Sequence, residues 1–229
     1  MFSNSFFPEE SCYFIGIGGV SMSALALLLK DRGVRVRGCD ARENEFTRRL
    51  RERGVPVAIG EEEIRENVVV YTEAVDRHAA CLERARRAGK RLLSRAELLG
   101  RVAEEYPHVL AVAGCHGKTS STAMLAHIFA EGRRPFTCHI GGEDREFGNY
   151  CCTGGEYFLT EACEFRRSFL RLRSDVAVVL NTDLDHTDCY HDKAELLGAY
   201  RAFAAGGNRA VVNADDADAR TIPHALSFG

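Results

Sequence analysis

The sequence predicts an α/β protein carrying two nucleotide-type sites. Three observations predict it. Short β-branched runs alternate with amphipathic stretches along the whole chain. Two glycine-rich turns, at 16–21 and 114–117, each follow an apolar run and open a helical pattern. Acidic residues gather where predicted strands end, at Asp40, at Glu161 and again across 183–188.

The elements follow in order. Residues 13–17 read as a buried strand, 21–31 as a helix ended by Gly33, and 34–39 as a strand closing at Asp40. A helix over 45–53, a short strand over 55–59 and a Val/Tyr strand over 67–72 come next. Residues 76–88 form a charged surface helix, and 90–93 with 95–105 one more strand–helix pair. Glu104-Glu105-Tyr106-Pro107 then breaks the pattern and a fresh strand–loop–helix begins at once, so the domains are expected to be 1–106 and 107–229. In the second half, strands are expected over 109–113, 136–140, 157–161, 176–181 and 209–213, and helices over 118–131 and 192–204. The Gly-rich stretch 141–155 is a loop or a hairpin, and 225–229 starts a further strand.

Composition narrows the function classes. The 229 residues suffice for one large or two small domains with a real core, so no disulfide or metal staple is needed. Thirty basic against thirty-three acidic residues leave a charge of −3, which gives no electrostatic case for nucleic acid or membrane binding. No apolar run is long enough to span a bilayer and no signal peptide is visible, and the nine cysteines show no CxxC pairs. A cytoplasmic protein with reduced thiols is expected.

Five local motifs carry possible chemistry. Gly16-Ile17-Gly18-Gly19-Val20-Ser21 leaves room for a ligand's phosphates at a helix N-terminus, with Asp40 about 20 residues on, where a ribose-binding acid belongs. A tight structural turn explains the same glycines. Gly114-Cys115-His116-Gly117-Lys118-Thr119-Ser120 has the Gly-Lys-Thr core of a phosphate loop, shortened because Val112 stands where the longer form has Gly. Its backbone N–H groups would cradle phosphates, Lys118 would reach the β/γ-phosphates, and the Thr119 hydroxyl would ligate Mg²⁺. Glu161, in Glu161-Ala162-Cys163-Glu164, is the metal-ligand candidate, while Glu164 reads as structural or solvent-facing. The acids and His186 within 181–188 suit either a second metal or a polar turn. Asn213-Ala214-Asp215-Asp216 reads as a turn capping the next helix.

The order of these motifs resembles the Mur ligases, the ATP-dependent enzymes that add amino acids to the UDP-linked peptidoglycan precursor. The resemblance rests on the glycine turn through Met22-Ser23, Arg95-Ala96-Glu97-Leu98, Gly114–Thr119 as quoted, Glu161-Ala162-Cys163-Glu164 with Ser168-Phe169, and Asn181, Asp185-His186 and Asp188. It is strongest to the members that join L-alanine to UDP-N-acetylmuramate.

The resemblance implies a Rossmann-like N-terminal domain followed by an incomplete P-loop α/β ATP-binding domain. It implies that Gly16, Gly18, Gly19 and Val20 hold the UDP-sugar pyrophosphate, with Asp40 and Thr72 toward the uridine. It implies ATP on Gly114, Cys115, His116, Gly117, Lys118, Thr119 and Ser120, and Mg²⁺ on Thr119, Glu161 and His186. Lys118, Glu161 and His186 are then the catalytic residues. The muramyl carboxylate would take the γ-phosphate of ATP, and the alanine amine would displace phosphate from the acyl phosphate. Members of the family are nearly twice as long, so this chain alone is expected to be weak or inactive.

Three departures stand out. Cys115 replaces a more usual Thr, which is expected to be tolerated if that position contributes mainly its backbone N–H, and to make the loop oxidation-sensitive. Cys163 replaces an Asp, and Arg166-Arg167 follow where acidic or small residues are usual. Lys193 reads as a solvated helix start, with no role on a metal. Two further readings remain at this stage: a non-catalytic UDP-sugar or ATP binder, and a nicotinamide-dependent oxidoreductase suggested by the first glycine turn and Asp40.

Overall fold

The computed structural model describes residues 11–72, 74–75, 79–183 and 189–229. The chain forms two compact units, Met1–Leu99 and Gly100–Gly229.

The first unit is built on a five-stranded sheet in the order β3-β2-β1-β4-β5. Its strands are β1 (Ser11–Ile15), β2 (Arg35–Asp40), β3 (Val57–Ile59), β4 (Val68–Tyr71) and β5 (Arg91–Ser94), all parallel. Val68, Val69 and Val70 are consecutive and all buried, and since neighbours on a strand point to opposite faces, both faces of this sheet are covered. The chain leaves β1 toward β2 on one side and returns to β4 on the other. That reversal opens a crevice at the carboxyl ends of these strands.

Helix α1 (Val20–Asp31) buries Met22 through Leu29 without a break. Its Ala/Leu run favours helix intrinsically. Gly33 ends it at φ +86°, a left-handed conformation that glycine adopts without strain. Helix α2 (Glu45–Glu52) starts at Asn44, whose side chain accepts from the Thr47 N–H while the Thr47 hydroxyl accepts from the Asn44 N–H. Helix α3 is Ala80–Arg87; the expected start at 76 lies outside the described residues. Helix α4 is Arg95–Ala103.

The second unit carries a seven-stranded sheet in the order β12-β11-β10-β6-β9-β7-β8. The strands are β6 (His108–Ala113), β7 (Phe136–Asp144), β8 (Gly148–Cys152), β9 (Tyr157–Glu161), β10 (Val176–Val179), β11 (Arg209–Asn213) and β12 (Leu226–Phe228). Every pairing is parallel except β7 with β8. The 141–155 stretch is therefore a hairpin: β7 continues through its glycines to Asp144 and turns back as β8.

Helix α5 (Lys118–Glu131) lays Ala126 on Phe136, Cys138, Ile140 and Leu159. Helix α6 (Lys193–Ala205) packs Phe203 in a stack on Phe169 at 5.0 Å. All nine cysteines are free thiols. No helix among the described residues is long and apolar enough to cross a membrane.

Candidate functional site

In the first unit, the turn after β1 is held by backbone bonds. The Gly16 and Ile17 N–H groups both donate to the Cys39 carbonyl at the end of β2, at 2.8 and 3.0 Å. Gly16 has φ +78°, and a Cβ there would lie 2.5 Å from Thr72 Cγ2. Gly18 donates to Asp40 Oδ2 at 2.8 Å and accepts from Asn44 Nδ2 at 3.1 Å. Glycine is thus required at 16 by conformation and at 18 by crowding.

A cavity of about 610 Å³ lies over this turn, and Gly16, Gly18, Gly19, Asp40, Asn44 and Thr72 are among its walls. Five of the residues expected on the UDP-sugar therefore come together around one cavity. Val20 is not on its walls; it is the first residue of α1, whose N-cap, Gly19, supplies no side chain. That leaves the positive end of the helix dipole for an anion rather than for a capping group.

Asp40 has a second task that spacing did not reveal. One carboxylate oxygen holds Gly18 and the other accepts from the Arg42 N–H at 3.3 Å, so the group shapes the turn as well as lining the cavity. Asn44 and Arg95 join this turn from outside its glycine motif. Arg95 reaches the Ser21 hydroxyl at 3.4 Å in the first turn of α1, a cation beside the expected pyrophosphate. The helix-capping pattern at 44–47 was the available signal for Asn44.

In the second unit, the phosphate loop joins β6 to α5. Gly114 (φ +147°) and Gly117 (φ +78°) take conformations strained for other residues, and Gly117 is the N-cap of α5. Asn181, at the end of the next strand over, grips the loop from outside. Its Oδ1 accepts from the His116 N–H at 2.9 Å and its Nδ2 donates to the His116 carbonyl at 3.1 Å.

The Cys115 thiol turns away from the loop mouth. It donates to the Asp183 carbonyl and lies 3.6 Å from the Tyr200 hydroxyl. Burial pushes the thiol's pKa up, so little thiolate forms. The expected oxidation sensitivity is not supported by this environment.

Lys118 Nζ donates to the carbonyls of Gly114 and Cys115 and to both oxygens of Glu164, at 3.2 and 3.1 Å. Glu164 is fully buried. The solvent-facing alternative for Glu164 is thereby overturned: the strand end turns it inward, beneath the loop lysine. Tyr190, whose hydroxyl donates to the Glu164 carbonyl at 2.6 Å, has its own ionisation pushed up by burial and by that carboxylate.

Glu161 ends β9 directly beside Val112 of β6. Its Oε1 accepts from the Gly141 N–H at 2.6 Å, and a Cβ on Gly141 would lie 2.4 Å from Oε2. A Cβ on Gly142 would lie 2.7 Å from Thr119 Cγ2. Two adjacent glycines of β7 thus leave room for the Glu161 carboxylate and for Thr119, the second residue of α5. Hard oxygen donors of this kind, few in number, fit Mg²⁺, which keeps several waters and shares phosphate oxygens. The Gly-rich reading of 141–155 held the signal for Gly141 and Gly142 but not their role.

His186, Asp185 and Asp188 lie outside the described residues. Among the described residues no cluster of three or more His, Cys, Asp or Glu could hold a metal. Asp216 caps the short 3-10 helix Ala219–Thr221 through the Asp218 and Ala219 N–H groups. It also takes the Thr182 N–H and hydroxyl, at 3.1 and 3.0 Å, and so fastens the start of that segment. Lys193 opens α6, half-exposed and paired with Asp218. Arg166 and Arg167 sit at φ +50° and +56°, and Arg167 pairs with Glu195.

Residues 11–107 match the Mur ligase family, catalytic domain, and residues 112–227 match the Mur ligase middle domain. The UDP-N-acetylmuramate–L-alanine ligase of Caldicellulosiruptor saccharolyticus is 39% identical over 196 residues, 84% of this chain and 43% of that protein. The protein of the same name from Clostridium perfringens is 39% identical over 215 residues, 91% of this chain and 47% of that one. Among solved structures, the UDP-N-acetylmuramate-alanine ligase of Thermotoga maritima matches with a TM-score of 0.89 at 26% identity, over 96% of this chain and 53% of that chain. The chain spans about half the length of the curated relatives it matches.

Proposed function

The chain belongs to the Mur ligase family, and from that premise we propose that it carries the substrate and nucleotide sites of an enzyme joining L-alanine to UDP-N-acetylmuramate at the expense of ATP. UDP-N-acetylmuramate occupies the cavity over the Gly16–Gly19 turn, its pyrophosphate on the α1 N-terminus beside Arg95. ATP occupies the loop from Gly114 to Ser120. The working domains are 1–106 and 107–229, since the compact units change over inside α4 and the break between elements follows Ala103. The protein acts in the cytoplasm.

The observation that carries this reading is a phosphate loop, Gly114 to Lys118, that opens α5 from the end of β6, with Glu161 ending the neighbouring strand β9 and held there by the Gly141 N–H. Thr119, Glu161 and, from the family pattern, His186 would hold Mg²⁺, which when bound offsets phosphate charge during transfer. Lys118 exchanges its loop carbonyls and Glu164 for the β/γ-phosphates. Its ammonium lowers the repulsion between the muramyl carboxylate and the γ-phosphate as the acyl phosphate forms. No side-chain nucleophile is required, because the substrate carboxylate supplies the attacking oxygen.

A binding-only role is the second reading. Calorimetry separates the sites: Lys118→Ala abolishes Mg-ATP binding and leaves UDP-N-acetylmuramate binding intact. Loss of both together contradicts the two-site layout. Phosphate release with UDP-N-acetylmuramate and each of Ala, Ser and Gly then separates turnover from binding and reports the preferred amino acid.

A further inference from the structure

Of the nine thiols, two are placed as a pair that the nucleotide reading does not use. Cys138 and Cys151 are direct register partners across β7 and β8. Both belong to the apolar cluster beneath α5, so their side chains share one face. Partners across an antiparallel pair have Cα atoms about 4.5–5.5 Å apart, inside the roughly 4.4–6.8 Å that a disulfide spans. Cys138 is fully buried and Cys151 half-buried. Cys152 points to the opposite face, where its sulfur accepts from the Thr137 hydroxyl at 3.2 Å, and so does not compete for either partner.

We propose that Cys138 and Cys151 are a peroxide-oxidised dithiol, closing to a reversible disulfide across the β7–β8 hairpin. The two thiols are chemically unequal. A hydrogen bond from Cys138 brings the Cys151 pKa down to about 7, and Cys151 is also the half-exposed member of the pair while Cys138 is buried. The same contact, with burial, pushes Cys138 up and keeps it protonated. Cys151 is thus the attacking group and Cys138 the resolving one.

In the first step the Cys151 thiolate attacks one oxygen of hydrogen peroxide. The O–O bond breaks, Cys151 becomes a sulfenic acid, and the departing hydroxide takes a proton to leave as water. In the second step Cys138 loses its proton and its sulfur attacks the Cys151 sulfur. The S–O bond breaks, hydroxide leaves with that proton as a second water, and the S–S bond forms. Two thiols and one peroxide give one disulfide and two waters. The cross-link falls on the strand that carries Gly141, the residue holding Glu161.

The test uses the 229-residue chain, treated with hydrogen peroxide, alkylated under denaturing conditions and mapped by mass spectrometry. Arg145 lies between the two cysteines, so trypsin yields two peptides held together by the bond. The expected result is a Cys138–Cys151 link, reversed by dithiothreitol, forming about tenfold more slowly at about pH 6 than at about pH 8. Cys152→Ser keeps the link. Cys138→Ser loses it and leaves a Cys151 sulfenic acid that dimedone traps. A link through Cys152, a link between chains, or no link with Cys138 still alkylatable overturns the proposal. The wild-type map alone decides it if the serine variants do not fold.

Discussion

Glu164 holds Lys118 from below the phosphate loop: a carboxylate with no exposure, 3.1 and 3.2 Å from an ammonium that is 15% exposed. Removing one partner of such a pair leaves a buried charge unmatched, which costs more than the pair itself contributes. Glu164→Gln should therefore destabilise the protein by about 3 kcal/mol. The double variant with Lys118→Met should recover part of that loss. Urea denaturation of the four proteins in the cycle measures it, and simple additivity of the two losses would refute the coupling.

Gly141 is where β7 meets Glu161. A methyl group at this position would lie 2.4 Å from Oε2, so Gly141→Ala has to displace the carboxylate or the strand. Mg-ATP affinity is expected to fall about tenfold, equivalent to roughly 1.4 kcal/mol, with UDP-N-acetylmuramate affinity unchanged. Calorimetry with each ligand checks both halves of this expectation. Unaltered Mg-ATP binding would remove Glu161 from the metal site.

The complementary change is Gly16→Ala in the first unit. It places a side chain at φ +78° and 2.5 Å from Thr72 Cγ2. The conformational strain alone is about 1–2 kcal/mol. UDP-N-acetylmuramate should bind at least about tenfold more weakly while Mg-ATP binds as before. Arg95→Ala should weaken the same ligand without strain, and the effect should shrink as salt is raised.

Asp216 provides a pH-dependent test. Burial raises its pKa more strongly than any other single factor. The Ala219, Thr182 and Asp218 hydrogen bonds together outweigh that, so the carboxyl lies below its ordinary value. A depressed carboxyl contributes stability above its unfolded value, about 4, and loses that contribution as the pH falls through its folded value. Asp216→Ala should cost about 1–2 kcal/mol at neutral pH. The difference from the parent should narrow at about pH 3, as seen by urea denaturation at both pH values.

Much of this architecture was legible in the residues. The glycine turn at 16–19, the loop at 114–117 and the strands feeding them follow from local rules. Apolar runs need burial, and glycine goes where the backbone turns left-handed or crowds a neighbour. The hairpin at 141–155 was half legible, because glycines are compatible with both a loop and a strand that must pass close to other groups. Whether Glu164 faced water or the interior was not legible at all. Its neighbours in sequence, Cys163 and Phe165, say nothing about a lysine 46 positions away.

The sequence by itself determined the α/β alternation, the two glycine-rich sites, their order, and through that order the family. These depend on periodicity and on backbone conformation, which are local. Only the tertiary structure decided what each polar group is spent on. Asp40 holds Gly18, Asn181 grips His116, Asp216 fastens Thr182, and Cys138 faces Cys151. Those partners are 13 to 65 residues apart along the chain and meet because parallel strands deliver their carboxyl ends to one edge, or because a hairpin sets its register. Strand order and register are properties of the assembled sheet, so the chemistry built on them appears only once the sheet has formed.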